Sequence, residues 1–316
     1  MSVFTAVSKQ EAQDFLAGYA LGDVESLEGI VAGVENTNFF LTTTTGEYVL
    51  TLFEKHSIED LGFYLHLMEH LAENEFNCPR PQIRFAAQQR KELFGILNGK
   101  PAAIVSRIPG TPLLKPDAAD CYAVGRLLAQ MHEIGIDFDM GMTNWRGKQW
   151  RESFASEVAP KLLAAENALL AAENAFQASI DPTTIPQGVI HGDLFRDNIL
   201  WSDEGVPGVI DFYFACDDCL LYDIAITVND WCVNPDATLD HVRVAALIEG
   251  YQEVRALEDN ERALWPAMLR RAALRTWLGR LGYAHFPQDG EMTHAKDHAF
   301  AERLLRHHIA SAQPIV

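Results

Sequence analysis

The sequence predicts an α+β fold with two lobes, in which a β-rich lobe precedes a larger and mostly helical lobe. The chain has 316 residues, of which 48% are hydrophobic, so it can bury a sizeable core and is long enough to divide into two. Short β-branched and aromatic runs fill its first third, whereas segments with helical periodicity fill the rest. Turn residues at 108–112 separate these regions, and we therefore assign the lobes to 1–107 and 108–316.

The N-terminal lobe is predicted from its apolar runs and punctuating glycines. A helix begins at Ser57, which can cap it together with Asp60 three residues later. The sum is an antiparallel sheet of about five strands with one main helix. The predicted strands are 24–30, 38–43, 47–53, 82–85, 93–97 and 102–107.

The C-terminal lobe is predicted to be mainly helical, with short strands confined to 189–214. Its predicted helices are 118–134, 150–176, 222–232, 238–256 and 262–283.

Charge and cysteine content limit the classes of partner. The 25 Lys and Arg residues against 44 Asp and Glu residues give a formal net charge of −19, whereas nucleic acids and anionic membranes bind cationic surfaces. We therefore expect a small-molecule ligand, with no nucleic acid or membrane partner. Five cysteines with apolar neighbours predict reduced core thiols. The N-terminus lacks the pattern of a signal peptide, and we expect a cytoplasmic protein.

Three oxygen-bearing side chains are predicted to converge in the C-terminal lobe. Predicted strands at 199–201 and 206–210 flank a turn, so Asn198 and Asp211 lie at the open ends of one hairpin. Asp193 lies five residues before Asn198, in the loop that leads into the hairpin. Carboxylate and amide oxygens are hard ligands that suit Mg²⁺. The pattern therefore predicts a magnesium site.

The order and spacing of His191, Asp193, Asn198 and Asp211 match the phosphoryl-transfer template, in which an Asp accepts the proton of the substrate hydroxyl while an Asn and a later Asp bind metal. Taken singly, each is more often a core histidine or a turn or cap residue. Together they resemble the aminoglycoside-phosphotransferase-like kinases, which have His-Gly-Asp and Ile-Asp-Phe at these places. The resemblance implies a two-lobed protein-kinase-like fold that uses ATP and Mg²⁺, with catalytic Asp193, Asn198 and Asp211. His191 is expected to anchor the loop.

The same resemblance implies that the N-terminal lobe clamps the nucleotide. The loop at 29–38 would approach the phosphates, although a plain hairpin turn explains it equally well, and 102–108 would contact adenine as the hinge. Thr51 stands where many relatives have a Lys or Arg, and Lys55 is the nearest cation, with Glu69 as its partner. Solvated surface residues are the alternative for both. The nucleotide candidates are Gly33, Asn36, Asn38, Thr51, Lys55, Glu69, Ser106 and Ile108.

A narrower resemblance covers most of the chain and concerns the acceptor. Several segments are similar to bacterial homoserine kinases of the aminoglycoside-phosphotransferase-like type, namely 33–39, 48–55, 67–71, 100–105 and 209–218. This resemblance implies ATP-dependent phosphorylation of the L-homoserine hydroxyl on the way to threonine. The broader resemblance to the aminoglycoside-phosphotransferase-like kinases implies that Asp223 braces the catalytic loop.

Homoserine is a zwitterion, and its site needs partners of both signs. Arg271 and Arg275 share one helix face and suit a carboxylate, although we expect at least two of Arg271, Arg275 and Arg280 to be surface residues. Asp217 or Asp218 can meet the ammonium group. The acceptor candidates are Asp193, Asp217, Asp218 and Arg275.

Three other interpretations stay open. One is a kinase of the same fold with an aminoglycoside, choline or methylthioribose as acceptor, which the negative charge favours mildly. Another is a catalytically silent nucleotide-binding module, to which Thr51 lends weak support. Metal binding or redox chemistry by Cys216-x-x-Cys219 is the weakest, because the sequence has no second pair of metal ligands with matching spacing.

Overall fold

A computed structural model describes residues 5–30, 36–85, 91–286, 297–311 and 315. The chain divides into two compact units. The first comprises residues up to Gly110 together with Ser202–Ile210, and the second comprises Thr111–Trp201 and most of the chain from Asp211 onward. Residues 202–210 therefore fold with the first unit, where the Val209 N–H donates to the Asn77 carbonyl oxygen at 2.9 Å. The nucleotide-clamping role of the N-terminal lobe remains a prediction.

The first unit is built on the predicted antiparallel sheet. Its elements are α1 (Lys9–Leu16), β1 (Val24–Gly29), β2 (Thr37–Thr43), β3 (Gly46–Leu52), α2 (Ile58–Glu73), β4 (Arg84–Phe85), β5 (Lys91–Glu92), β6 (Gly95–Leu97), β7 (Lys100–Ser106) and, from the later segment Ser202–Ile210, β11 (Pro207–Val209). The five strands of the sheet have the order β1-β2-β3-β7-β6.

Capping residues define both helices of the first unit. Ser57 and Asp60 form the predicted capping box of α2. Helix α1 was not predicted, although Ser8 and Glu11 form the same kind of box. Phe15 belongs to a buried core that α1 shares with one face of the sheet. The signal for α1 was therefore the spacing of Ser8 and Glu11, which the sequence interpretation did not use.

The second unit contains four of the five helices predicted for the C-terminal lobe, and it also contains α9, which was not predicted. Its elements are β8 (Thr111–Pro112), α3 (Ala118–Gly135), α4 (Lys148–Val158), α5 (Ala164–Ala178), β9 (Gln187–Ile190), β10 (Ile199–Trp201), β12 (Cys216–Cys219), α6 (Leu220–Trp231), α7 (His241–Gln252), α8 (Asp259–His285) and α9 (His298–Ala310).

The prediction of a single helix over 150–176 was wrong. Helix α4 ends at Val158, a 3₁₀ turn follows at Ala159–Lys161, and α5 begins at Ala164. Pro160 lies in that turn, and proline has no N–H to donate and clashes with the preceding helical turn. The break therefore separates α4 and α5 into two distinct helices.

Short strands position the segments expected to carry chemistry. Strands β9 and β12 pair antiparallel, with Ile190 opposite Cys216, so the loop after β9 starts beside the segment that precedes β12. Cys216 and Cys219 are strand residues, and all five cysteines are buried thiols, as predicted. Within the described ranges, no helix has the length and apolar character that a membrane span requires.

Candidate active site

The loop after β9 is held in shape by its own residues. His191 is fully buried, and its Nδ1 accepts a hydrogen bond from the Asp193 N–H at 3.2 Å, which confirms the predicted anchoring role. Gly192 has a φ of 72°, and a Cβ atom there would lie 2.7 Å from the Phe214 carbonyl oxygen. Glycine is therefore required between His191 and Asp193, and the loop packs closely against residues that follow Asp211.

Helix α6 anchors this loop at three places. Asp223 accepts hydrogen bonds from the N–H groups of His191 and Gly192, at 2.7 and 2.9 Å, which confirms the expected bracing. Further along α6, Asp230 Oδ2 accepts from both the N–H and the Nε of Arg196, at 2.8 and 3.0 Å. Trp231 Nε1 donates to the carbonyl oxygen of Leu194 at 3.2 Å. The sequence interpretation missed Asp230 and Trp231.

Asp223 is fully buried and remains a strong acceptor because of its partners. Burial raises the pKa of its carboxyl, but hydrogen bonds and the nearby imidazoles outweigh this effect and hold the pKa below the ordinary value. His132 Nε2 lies 3.2 Å from Asp223 Oδ2, and His132 Nδ1 lies 2.8 Å from the Tyr251 hydroxyl. This network connects the loop to α3 and α7.

Asp193 and Asn198 are brought together at the end of the loop. Asn198 Nδ2 donates to the Asp193 carbonyl oxygen at 2.8 Å and lies 3.4 Å from Asp193 Oδ2. Arg275 Nη2 donates to Asp193 Oδ1 at 3.0 Å. Burial lowers the pKa of the Arg275 guanidinium, but the Asp193 carboxylate more than compensates and raises it. The Asp193 carboxylate is therefore oriented from both sides.

Asp211 lies close in sequence to residues that pack on this loop. Its φ of 65° is rare for a residue with a side chain, and its side chain is exposed. The Phe212 ring lies 4.9 Å from the His191 ring, centroid to centroid. The Ile-Asp-Phe segment thus contacts the His-Gly-Asp segment through Phe212.

The donor atoms present fit a magnesium ion. The Asn198 amide uses Nδ2 toward Asp193, which leaves its Oδ1 as the atom for a cation, and Asp211 offers a carboxylate. The described residues contain no cluster of three or more His, Cys, Asp or Glu side chains that suits a metal. Magnesium in phosphoryl-transfer sites commonly takes only one or two protein ligands and completes its shell with water and phosphate oxygens.

The expected acceptor residues have different surroundings. Asp218 accepts from Arg271 at 2.9 and 2.6 Å and from Asn144 Nδ2 at 2.7 Å. Burial raises its carboxyl pKa, but Arg271 outweighs this and lowers the pKa. Asp217 accepts from the Met142 N–H at 2.8 Å, and burial raises the pKa of its carboxyl.

The preference for surface arginines was wrong for two of the three on α8. The side chains of Arg271 and Arg275 are only 11% and 6% exposed, because each is paired with a carboxylate in the interior.

The nucleotide candidates lie in the first unit, except that Gly33 lies outside the described residues. Thr51 Oγ1 donates to Asn38 Oδ1 at 2.7 Å across β2 and β3. Asn36 is buried, and its Oδ1 has no hydrogen-bond partner among the described residues. At the expected hinge, the N–H of Ser106 donates to the Arg80 carbonyl oxygen and its Oγ accepts from the Arg80 N–H, which leaves Ile108 as the candidate backbone donor.

The pairing expected between Lys55 and Glu69 stays a prediction. Strand β3 ends at Leu52, so Lys55 lies beyond the strand that carries Thr51. Lys55 is exposed, and Glu69 Oε2 lies 3.2 Å from His66 Nδ1 on the same helix.

A small cavity in the second unit lies beside the loop that follows β9. Its walls combine two arginines with aromatic rings, and none of its described lining residues is acidic. They include Asn144, Arg146, Gly192, Phe214, Tyr222 and Arg275.

The structure combines an antiparallel sheet and its main helix with a mostly helical second unit and a His-Gly-Asp loop. These features define a kinase-type phosphotransferase. The predicted fold class is confirmed. Residues 26–257 match the family model described as "Phosphotransferase enzyme family", and the chain belongs to this family.

Relatives and solved structures agree with this membership. The chain is 52% identical to a homoserine kinase of Methylobacillus flagellatus over 100% of this chain and 98% of the relative, and 48% identical to that of Methylobacillus glycogenes with the same coverage. The structure of an amicoumacin kinase in complex with AMP-PNP, Ca²⁺ and Ami has a TM-score of 0.71 at 14% identity, covering 98% of this chain and 95% of that one. A spectinomycin phosphotransferase in complex with ADP and spectinomycin has a TM-score of 0.68 at 13% identity, covering 97% and 99%. These two structures support the fold.

Proposed function

We propose that this enzyme transfers the γ-phosphoryl group of ATP to the side-chain hydroxyl of L-homoserine, giving O-phospho-L-homoserine and ADP in the route to threonine. The observation that carries the proposed chemistry is the Asp193 carboxylate, which Asn198 and Arg275 orient on a loop anchored by α6. The homoserine kinases that are about half identical over the whole chain support the choice of acceptor.

In this proposal, Asp193 orients the acceptor hydroxyl and takes its proton as the oxygen attacks phosphorus. The Oδ1–Arg275 and Oδ2–Asn198 contacts restrict rotation of the carboxylate. Phosphoryl transfer depends mainly on positioning and charge neutralisation, so a fixed acceptor of the proton contributes more than a strongly basic one.

Asn198 and Asp211 would hold Mg²⁺, which when bound neutralises charge on the ATP phosphates. The direction of the Asn198 amide supports this assignment, since its Nδ2 atom is occupied by Asp193.

The first unit would bind the nucleotide through the residues identified above. Thr51 and Asn38 form one polar pair on the sheet, and Ile108 is the backbone donor proposed for adenine. Because Thr51 is uncharged, we propose Lys55 as the cation for the phosphates, with Glu69 as its partner. Gly33, Asn36 and Ser106 complete the proposed set.

The cavity favours a carboxylate-bearing acceptor over a wholly cationic one. Two arginines and no acidic residue line its described wall, so an aminoglycoside or choline would meet like charge there. Asp217 is the better candidate for the ammonium group of homoserine, because Arg271 and Asn144 already occupy Asp218.

An acceptor panel tests this function. ADP release with Mg·ATP would be measured for L-homoserine, L-serine, L-threonine, choline, methylthioribose and kanamycin, in the parent and in Asp193→Asn. We expect turnover with L-homoserine and its loss in the variant. Turnover of only a cationic acceptor would overturn the choice of substrate, and near-normal turnover in Asp193→Asn would overturn the assigned base.

A further inference from the structure

Arg151 is a buried cation that the proposed chemistry leaves unexplained. It lies on α4 and is only 7% exposed. Its side chain makes no hydrogen bond or ion pair with the described residues, and its Nε atom is buried without an acceptor. Arginine is seldom buried without a partner, because desolvation of its charge is unfavourable. An anionic ligand would supply the missing partner.

Arg151 has an electrostatic neighbour at the cavity described above. Burial and then the charge of Arg271 lower the pKa of its guanidinium, and Tyr222 is a further electrostatic neighbour. Tyr222 lines the cavity, and the Arg271 guanidinium lies 3.9 Å from the centre of the Tyr222 ring. Arg271 is ion-paired with Asp218, whereas Arg151 forms no ion pair with the described residues, and Glu152 and Glu173 act on it at longer range.

Arg146 is a second cation at this cavity, and it lies in its wall. Its guanidinium carbon lies 4.6 Å from the ring centre of Trp145 and 4.3 Å from that of Phe214. These two rings are themselves stacked, with centroids 5.4 Å apart. Stacking fixes the plane of a guanidinium and directs its N–H edge sideways, which suits a carboxylate.

The first turn of α4 connects Arg146 to Arg151 in the chain, and it contributes positive potential of its own. Gly147 is the N-cap and provides no side-chain hydrogen bond to the first turn. The first N–H groups of a helix have no partner within the helix and favour a negative charge. Arg146 directly precedes this uncapped turn, and Arg151 ends it.

We propose that Arg146, Arg151 and the first turn of α4 form the subsite for the α-carboxylate of the acceptor amino acid. The inference rests on the proposed function and adds to it the residues that select an amino acid over an amino alcohol. In this assignment Arg275 pairs with Asp193, and the carboxylate of the substrate binds Arg146 and Arg151 instead.

The test compares acceptors with and without the carboxylate. Kinetic constants for L-homoserine and 3-aminopropan-1-ol would be measured in the parent, Arg146→Gln, Arg151→Met and Lys161→Gln. The last variant is the matched control, since Lys161 is an exposed cation of the 3₁₀ turn that follows α4. Charge-assisted hydrogen bonds of this kind predict a rise of about 10- to 100-fold in KM for L-homoserine in the first two variants. The value of kcat, the KM for ATP and the kcat/KM for 3-aminopropan-1-ol are expected to change less than about threefold.

A binding measurement separates this inference from the proposed reaction. L-2-aminobutyrate has the same α-amino and α-carboxylate groups but no hydroxyl, and it is expected to raise the melting temperature of the parent and of Lys161→Gln but not of Arg146→Gln or Arg151→Met. A parent that binds L-2-aminobutyrate but does not phosphorylate homoserine would contradict the proposed function and leave the subsite supported. Homoserine turnover with equal KM in all four proteins would overturn the subsite alone. Equal losses with both acceptors would also overturn it.

Discussion

Arg275 Nη2 lies 3.0 Å from Oδ1 of Asp193, and this ion pair joins the middle of α8 to the loop that follows β9. The side chains are 6% and 15% exposed, so water screens the pair only weakly. The pair has a geometric consequence, because Arg275 fixes one carboxylate oxygen and leaves the other near Asn198. In the proposed reaction, Arg275 is a positioning residue for the base.

Replacing Arg275 by Gln is expected to lower kcat by about 10- to 100-fold, because Asp193 would lose its fixed orientation. The KM for ATP is expected to change less than about twofold. Arg275→Lys should recover part of the loss, and Arg280→Gln, on the same helix, is the control. Steady-state ADP release measures each constant. A kcat within about twofold of the parent in Arg275→Gln would remove Arg275 from the account.

Asp211→Ala is expected to weaken productive metal binding. With one of two proposed protein ligands removed, the Mg²⁺ concentration required for half-maximal turnover should rise by about tenfold or more. The measurement is a Mg²⁺ titration at saturating ATP and acceptor. Asp203→Asn is the control, since Asp203 lies in the exposed turn between β10 and β11. An unchanged titration in Asp211→Ala would exclude Asp211 as a ligand.

The packing of α3 against α7 depends on two glycines. A Cβ atom at Gly250 would lie 2.1 Å from the Tyr122 carbonyl oxygen, and one at Gly125 would lie 1.9 Å from that of Leu247. Gly250→Ala is therefore expected to lower the free energy of unfolding by about 2 kcal/mol or more. Gly62→Ala is the matched helical control, since nothing lies within 4 Å of its Cβ position, and should raise stability by about 0.5–1 kcal/mol. Urea unfolding measures both, and equal effects would contradict the packing described.

His308 makes stability depend on pH. Burial lowers the pKa of its imidazole to about 3, and its Nε2 lies 2.8 Å from Asn229 Oδ1. The unfolded chain binds a proton near pH 6.5 and the folded chain does not, so stability is complete above that pH and falls below it. Between pH 6 and pH 4.5, the free energy of unfolding of His308→Gln should decrease with falling pH less steeply than that of the parent. The two slopes should differ by up to about 1.4 kcal/mol per pH unit. Urea unfolding at several pH values gives the slopes, and parallel curves would mean that His308 is protonated in the folded protein.

Local patterns in the sequence predicted much of the fold and the centre of the candidate site. The capping pair Ser57 and Asp60 set the start of α2, and the order of His191, Asp193 and Asn198 defined one loop. Both patterns involve residues only a few positions apart, so they can be recognised from the sequence alone. Pro160 was equally visible, and its effect was underestimated because the surrounding residues favour helix.

Contacts between residues distant in sequence could not be predicted in the same way. Asp230 and Trp231 anchor the loop because α6 turns them toward Arg196 and Leu194, and nothing in their local sequence indicates those partners. The pairing of Asp193 with Arg275, rather than with Arg271, likewise depends on how α8 packs in the second unit. Helical spacing placed Arg271 and Arg275 on one face but did not give their partners.

The most direct test of the account is the product formed from Mg·ATP and L-homoserine, observed by ³¹P NMR with the parent, Asp193→Asn and Asp203→Asn, where Asp203 is an exposed turn residue. The account predicts a phosphomonoester signal of O-phospho-L-homoserine in the parent and in Asp203→Asn, and a rate lower by about 10²- to 10⁴-fold in Asp193→Asn with Mg·ATP binding retained. Absence of that product in the parent, or its formation at the parental rate by Asp193→Asn, would contradict the account.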